Sequence, residues 1–241
     1  MSEASRSENI SIIIPAYNEE KYIAESIKYA KKQQGNFDIE IIVVNNASTD
    51  KTKQIAESFN VKVIDEIKKG VGQARKIGTE ASKGKYILHI DADTHLPEDY
   101  LQQAFQRFEK DNKLVCLGGQ MLYYDAPWWK DVLRFIFHHI LGWGSRILSL
   151  GRVGPMGNNM IFRKSDYNKT KGFDSSVRYG EDADLSWKLS KLGKIKLDMS
   201  LKCFVSSRRY KINGRLWLYF LNYLSICLRG KPYKNVLPEI K

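Results

Sequence analysis

Tyr86-Ile-Leu-His-Ile-Asp91-Ala-Asp93 is five residues of strand tendency running into two carboxylates spaced i, i+2. In an extended chain that spacing points both side chains to one side. Two like charges on one side call for a cation near them. One reading is a site for a hard divalent ion, which one or two carboxylates can hold while substrate phosphates complete its shell. The other is a strand followed by an acidic turn that leads into a helix near Pro97-Glu98-Asp99. The stretch by itself leaves both open.

Upstream, strand and helix patterns alternate. Ile10-Ser-Ile-Ile-Ile14 is a β-branched run ended by Pro15, and Asn18 is placed to cap a helix carrying Ile23, Ile27 and Ala30. Ile39–Val44 is a second strand, followed by the polar turn Asn45-Asn-Ala-Ser-Thr-Asp50. A helix over 51–59, a third strand over 61–64 and a helix over 73–81 lead to the strand that ends at Asp91. This alternation predicts an α/β fold with a doubly wound, mostly parallel sheet. Ligands of such sheets bind beyond the strands' carboxyl ends. Tyr17-Asn18-Glu19, Asn45 to Asp50 and Asp91 to Asp93 all fall there.

Two nucleotide-binding motifs are excluded. Gly70-Val-Gly-Gln-Ala-Arg75 lacks the third glycine of a dinucleotide fingerprint and follows the third strand instead of opening the first βα turn. No Gly-x-x-x-x-Gly-Lys-Ser/Thr occurs either. Gly70 and Gly72 read as turn formers, with Arg75 free to face phosphate.

Beyond Asp93 a helix is expected over 98–110, then strands at 114–117 and 120–124. Gly157-Asn-Asn-Met-Ile-Phe-Arg163 is a further strand that brings Asn158 and Asn159 near a pocket. Glu181 and Asp182 precede a helix carrying Leu185, Leu189 and Leu192 on one face. Acidic residues also suit a helix first turn for dipole reasons alone. The aromatic stretch 128–150 and the run 216–228 are amphipathic, too interrupted or too short to span a bilayer, and suit either a membrane interface or internal packing.

The chain has 241 residues and a net charge of +12. Residues 1–100 hold 14 Lys and Arg against 16 Asp and Glu, whereas 101–241 hold 25 against 11. From Lys202 onward there are nine basic residues and one Glu. A basic second half fits an anionic lipid surface, a phosphorylated substrate or nucleic acid. Cys116, Cys203 and Cys227 are widely spaced, which points to a reducing compartment and excludes a zinc ribbon. Met1–Glu8 is polar and reads as neither a signal nor a transit peptide.

Taken together, Ile13-Ile-Pro-Ala-Tyr-Asn-Glu19, Val43-Val-Asn-Asn-Ala-Ser-Thr-Asp50, Gly70 to Arg75, Asp91-Ala-Asp93, Gly172-Phe-Asp174 and Glu181-Asp182 resemble the family-2 glycosyltransferases of GT-A fold. They span about residues 9–200. The resemblance implies a sheet with helices on both faces and C-terminal amphipathic helices. It divides the chain into a nucleotide-sugar half (9–110) and an acceptor half (111–205) of one domain, 1–205, followed by a basic segment, 206–241. It implies a UDP- or GDP-sugar donor with Mg²⁺ or Mn²⁺ as cofactor. Pro15, Tyr17, Glu19 and Arg75 then belong to the nucleotide-sugar site, with Asn45 and Asn46 toward the base. Asp91 is assigned the ribose or a metal-bound water, Asp93 the metal, and Asp182 the general base of an inverting transfer; Asn158, Asn159 and Glu181 fall in the acceptor or donor pocket. The family often has Asp at the position of Asn45, so the base is left open between uridine and guanosine. No histidine stands near Phe204-Val-Ser-Ser207, where some relatives place a further metal ligand. The absence of a Gln-x-x-Arg-Trp signature favours transfer of a single sugar.

The expected acceptor is a glycan, lipid-linked or of the cell envelope, met by a cytoplasmic protein peripheral to the inner membrane face, with no nucleic-acid partner. A nucleotidyltransferase would share the architecture but place a glycine-rich basic loop after the first strand, where Pro15-Ala-Tyr-Asn-Glu19 stands. A non-catalytic protein that binds membrane or nucleic acid through its basic half is the third class.

Overall fold

Isoleucine and valine runs build the centre of the sheet. In the computed structural model, which describes residues 7–130, 147–154, 157–177, 180–209 and 224–231 with 132, 144 and 221, seven strands form one sheet in the order β3-β2-β1-β4-β6-β5-β7. They are β1 (Glu8–Ala16), β2 (Phe37–Asn45), β3 (Lys62–Asp65), β4 (Tyr86–Ile90), β5 (Leu114–Tyr123), β6 (Asn159–Arg163) and β7 (Lys194–Val205). The first four pair in parallel. Strand β6 then runs antiparallel to both β4 and β5, and β7 returns parallel to β5.

The helices whose full range falls among the described residues are α1 (Ile23–Lys31), α2 (Thr52–Ser58), α3 (Val71–Ala81), α4 (Tyr100–Lys110), α5 (Lys164–Asn168) and α6 (Glu181–Leu189). Alternation along β1 divides them. Ile10, Ile12 and Ile14 pack with Ile23 and Ile27 of α1, Ala56 of α2 and Leu101 and Phe105 of α4. Ile13 points the other way, to a layer with Ala74 of α3 and Leu185 and Leu189 of α6. Both faces of the central strands are covered, which is why those strands read as continuous apolar runs instead of alternating ones.

Several expectations change. Asn18 caps nothing: α1 begins at Ile23 without a side-chain cap, and Asn18 sits at φ 55° with its side chain turned to the next loop. The two strands expected at 114–117 and 120–124 are one, β5, with a register shift between Gly119 and Gln120. Leu192 lies past the end of α6 and is exposed. The sequence reading had no counterpart for α5 or β7. Most of 128–150 and 210–223 lies outside the described residues, so the amphipathic helices expected there are only partly described. Residues 224–229 are helical, and Ile226 and Cys227 are buried with Val153 and Ala183, against which Trp187 packs. Among the described residues no helix is long and apolar enough to cross a membrane. All three cysteines are buried, and none forms a disulfide.

Candidate active site

Three loops follow the carboxyl ends of β1, β2 and β4, the side of the sheet where the strand order places ligands. The first two are laced together. Asn18 donates its N–H to Ser48 Oγ (3.1 Å) and accepts from the Thr49 N–H through Oδ1 (2.8 Å). The Glu19 N–H donates to Thr52 Oγ1 at 2.7 Å, and the Glu20 N–H to Asp50 Oδ2 at 3.1 Å. Tyr17 is left on the surface, 46% exposed, with Lys69 Nζ 4.9 Å from its ring centroid. A half-open aromatic ring beside a cation suits stacking of a flat base. Pro15 is the penultimate residue of β1, paired with Val44.

Asn45 and Asn46 have different surroundings. Asn45 donates to Asp65 Oδ1 at 2.8 Å, and its own side-chain oxygen is buried without a partner. Asn46 is occupied: its amide donates to the carbonyls of Glu66 and Lys68, and its oxygen accepts from the Gly70 N–H. It therefore shapes the loop before α3, where Gly70 takes φ 144°, a value that favours glycine.

Asp91 and Asp93 do not share one cation. Strand β4 ends at Ile90, the chain turns with the Thr94 N–H donating to the Asp91 carbonyl, and the two carboxylates diverge. The i, i+2 geometry of an extended strand is thus replaced by that of a turn. Asp91 Oδ1 pairs with Arg75 Nη2 at 2.9 Å, while Asp93 Oδ2 pairs with Arg208 Nε at 3.1 Å. Arg208 also pairs with Glu19 Oε2, and both carboxylates it holds are buried. Among the described residues no group of three or more His, Cys, Asp and Glu is arranged to hold a metal ion.

Arg75 is not turned outward to phosphate. Its side chain is 5% exposed and pairs with Asp91 and Glu181. A buried guanidinium must be matched by anions, and here they come from the turn after β4 and from α6. Burial works against its charge, yet Glu181, Asp91 and Asp182 outweigh it and raise the Arg75 pKa. Burial pushes the Glu181 carboxyl up, with Arg75 pulling it back and Asp182 adding to the rise. Glu181 thus serves the buried network, not an open pocket.

Asp182 stands beside this network in the first turn of α6. Its Oδ2 accepts from the Gly157 N–H at 2.9 Å and its Oδ1 from the Ala183 N–H at 2.8 Å. These two donors fix the carboxylate's orientation. Gly157 has no room for a side chain, since a Cβ there would lie 2.1 Å from Arg75 Nη1. Its neighbours part ways. Asn158 keeps a buried side-chain oxygen without a partner. Asn159 is wholly buried within the sheet, accepting from the Gly119 N–H and donating to Cys203 Sγ, so it belongs to the core and not to a pocket.

The residues that close the site were not found from sequence. The backbones of His95 and Phe204 exchange hydrogen bonds at 2.7 and 2.9 Å, tying the turn after β4 to the end of β7. The His95 ring is stacked between Tyr29 (4.4 Å) and Tyr124 (4.1 Å). Asp125 then accepts from Ser206 Oγ and the Ser207 N–H, which sets the turn carrying Arg208.

A sheet of this order, with an acidic turn beyond β4 and a second carboxylate on α6, defines the GT-A class. Comparison with known proteins assigns the family: residues 11–171 match glycosyl transferase family 2, and the chain belongs to it. It is 33% identical over 123 residues to glycosyltransferase GlyG of Streptococcus pneumoniae, covering 48% of this chain and 40% of that protein. It is 27% identical over 206 residues to the chondroitin synthase of Escherichia coli, covering 78% of this chain and 27% of that one. The chain therefore spans less than half the length of these relatives. Among solved structures, the mannosyltransferase PcManGT of Pyrobaculum calidifontis, in complex with GDP-Man and Mn²⁺, superposes with a TM-score of 0.72 at 18% identity, over 92% of this chain and 64% of that one. S. aureus TarS 1–349 with UDP-GlcNAc gives 0.66 at 19% identity, over 94% and 68%. At such identities the likeness is one of fold.

Proposed function

We propose that this chain moves a single sugar from a UDP- or GDP-sugar to an acceptor hydroxyl, with inversion at the anomeric carbon. The observation that carries the reading is the separation of two carboxylates: Asp93 lies in a charge cluster with Glu19 and Arg208, while Asp182 is oriented by backbone N–H groups on another element. Separate environments suit separate roles for two acids. The structural neighbours solved with GDP-Man and with UDP-GlcNAc support the class of donor.

In this reading the loops after β1 and β2 seat the nucleotide, with Tyr17 under the base and the unpartnered oxygen of Asn45 as an acceptor for a ring N–H. Asn46 acts at one remove, by holding the loop before α3. Asp91 is braced by Arg75, and the ribose falls to it. The residues fit a divalent metal on one observation: Asp93 and Glu19 already enclose a cation, the Arg208 guanidinium. Asp93 would hold Mg²⁺ or Mn²⁺, which when bound supplies Lewis acidity that offsets charge on the leaving diphosphate. Asp182 takes the proton of the attacking hydroxyl, and Arg75 with Glu181 keeps the start of α6 in place for it. Asn158 follows Gly157, whose N–H holds Asp182, and is assigned to the acceptor side of the site.

The acceptor half is taken as 111–205 and the nucleotide half as 9–110. A lipid-linked or cell-envelope glycan is the acceptor, reached from the cytoplasmic face of the membrane through the basic second half. Trp128, Ile147 and Leu150 support this contact, being 76%, 69% and 80% exposed. The test is transfer, or donor hydrolysis, with Mn²⁺. Asp182→Asn is expected to lower kcat by about 10²–10⁴ while donor binding persists, and Asp93→Ala to weaken donor binding as well. Unchanged turnover in both variants would remove these roles.

A further inference from the structure

Arg208 lies on a single 3₁₀ turn, Ser207–Arg209, just after β7. It reaches back across the chain to Glu19 and Asp93, and its guanidinium lies 4.0 Å from the centroid of the Tyr22 ring. The two carboxylate side chains are 2% and 5% exposed, whereas Arg208 keeps 27%. Two anions this deeply buried are costly without a cation, and Arg208 supplies one. The cation rests on Asp93, the residue to which the reading above assigns the divalent metal.

We propose that Arg208 is a resident counter-cation that competes with the divalent ion for Asp93 and yields it when the donor's diphosphate arrives. Metal and nucleotide would then bind together and not in succession. The inference rests on Asp93 being the metal ligand and adds a residue that controls when the metal enters. A divalent ion alone must break the guanidinium's contacts and then sit beside the displaced charge. A diphosphate removes that penalty, because its oxygens offer a guanidinium the same paired acceptors as a carboxylate. The 27% exposure gives the side chain room to move, while the Asp125 hydrogen bonds keep its turn in place.

The experiment is Mn²⁺ binding to the full chain, read from the electron paramagnetic resonance signal of free Mn²⁺, with and without UDP or GDP. Without nucleotide, Arg208→Gln is expected to bind Mn²⁺ at least tenfold more tightly than the unmodified protein. The enhancement that a nucleoside diphosphate gives to Mn²⁺ binding should shrink by at least tenfold in the variant. Equal or weaker Mn²⁺ binding by Arg208→Gln overturns the proposal. Arg208→Lys keeps the charge but loses the two-pronged contact. It guards against a folding failure of the glutamine variant and should bind Mn²⁺ a few-fold more tightly; equal or weaker binding again overturns the proposal. Adding Asp93→Asn to Arg208→Gln separates the two readings. Loss of Mn²⁺ binding there keeps Asp93 as the ligand even if Arg208 proves indifferent, and retained binding rejects both.

Discussion

Replacing Arg75 by methionine is the sharpest perturbation of the network under the site. It removes the cation between Glu181 and Asp91 and leaves a side chain of similar length in a space that is 5% exposed. Breaking a buried pair by deleting one partner costs about 3–5 kcal/mol, mostly the penalty of the orphaned charge. Glu181 is buried and bears most of it, whereas the Asp91 side chain is 26% exposed and relieved by solvent. The lower end, about 3 kcal/mol at pH 8, is therefore expected, or a Tm lower by roughly 6–12 °C for a chain of this size. The sign with pH follows from the direction of the shift. Burial raises the Glu181 pKa above its ordinary 4.5, and losing Arg75 removes the charge that lowered it. A carboxyl with a raised folded pKa contributes stability below its unfolded value and loses it as pH climbs through the folded one. The cost of Arg75→Met should thus be largest at pH 8 and smaller at pH 5 by at least about 1 kcal/mol. Urea unfolding followed by tryptophan fluorescence measures both, and adding Glu181→Gln should recover most of the loss. A cost below about 1 kcal/mol at pH 8, no dependence on pH, or strict additivity in the double variant would refute the network.

Three further outcomes bear on the fold and site. Gly157→Ala should push Arg75 from its partners and shift the N–H that holds Asp182, lowering both Tm and kcat; retention of both would contradict the close contact. Asn46→Ala should cost about 1–3 kcal/mol in urea unfolding, because the Gly70 N–H and two carbonyls lose their partner. His89 is buried, and burial together with Arg75 depresses its pKa well below 6.5. Its contribution is complete above pH 6.5 and is lost below it at up to about 1.4 kcal/mol per pH unit. His89→Gln should flatten the fall in stability between pH 6.5 and 5.5, and an unchanged slope would refute that assignment.

The parallel half of the sheet was legible because its strands are β-branched runs closed by polar turns, and burial on both faces demands that pattern. Strand β7 was not, since Lys194-Ile-Lys-Leu-Asp alternates charge along a sheet edge and carries no apolar run. Asp93 and Asp182 were singled out by the family resemblance, because an acidic turn after a strand and a carboxylate in a helix first turn are each ordinary features by themselves. Arg75 was misplaced because sequence does not distinguish an arginine that faces phosphate from one buried among carboxylates. Asn159 looked like a pocket residue for a similar reason, as its partners Gly119 and Cys203 lie 40 and 44 residues away. Arg208 carried no local signal at all; it meets Asp93 and Glu19 across 115 and 189 residues.

The account turns on a nucleoside-diphosphate site anchored at Asp93 and distinct from Asp182. Isothermal titration of UDP and of GDP in the presence and absence of Mn²⁺ tests it most directly. Saturable, Mn²⁺-dependent binding of one of them is expected in the unmodified chain and in Asp182→Asn, and its loss in Asp93→Asn. Binding that ignores both Mn²⁺ and Asp93→Asn, or that disappears in Asp182→Asn alone, would contradict it.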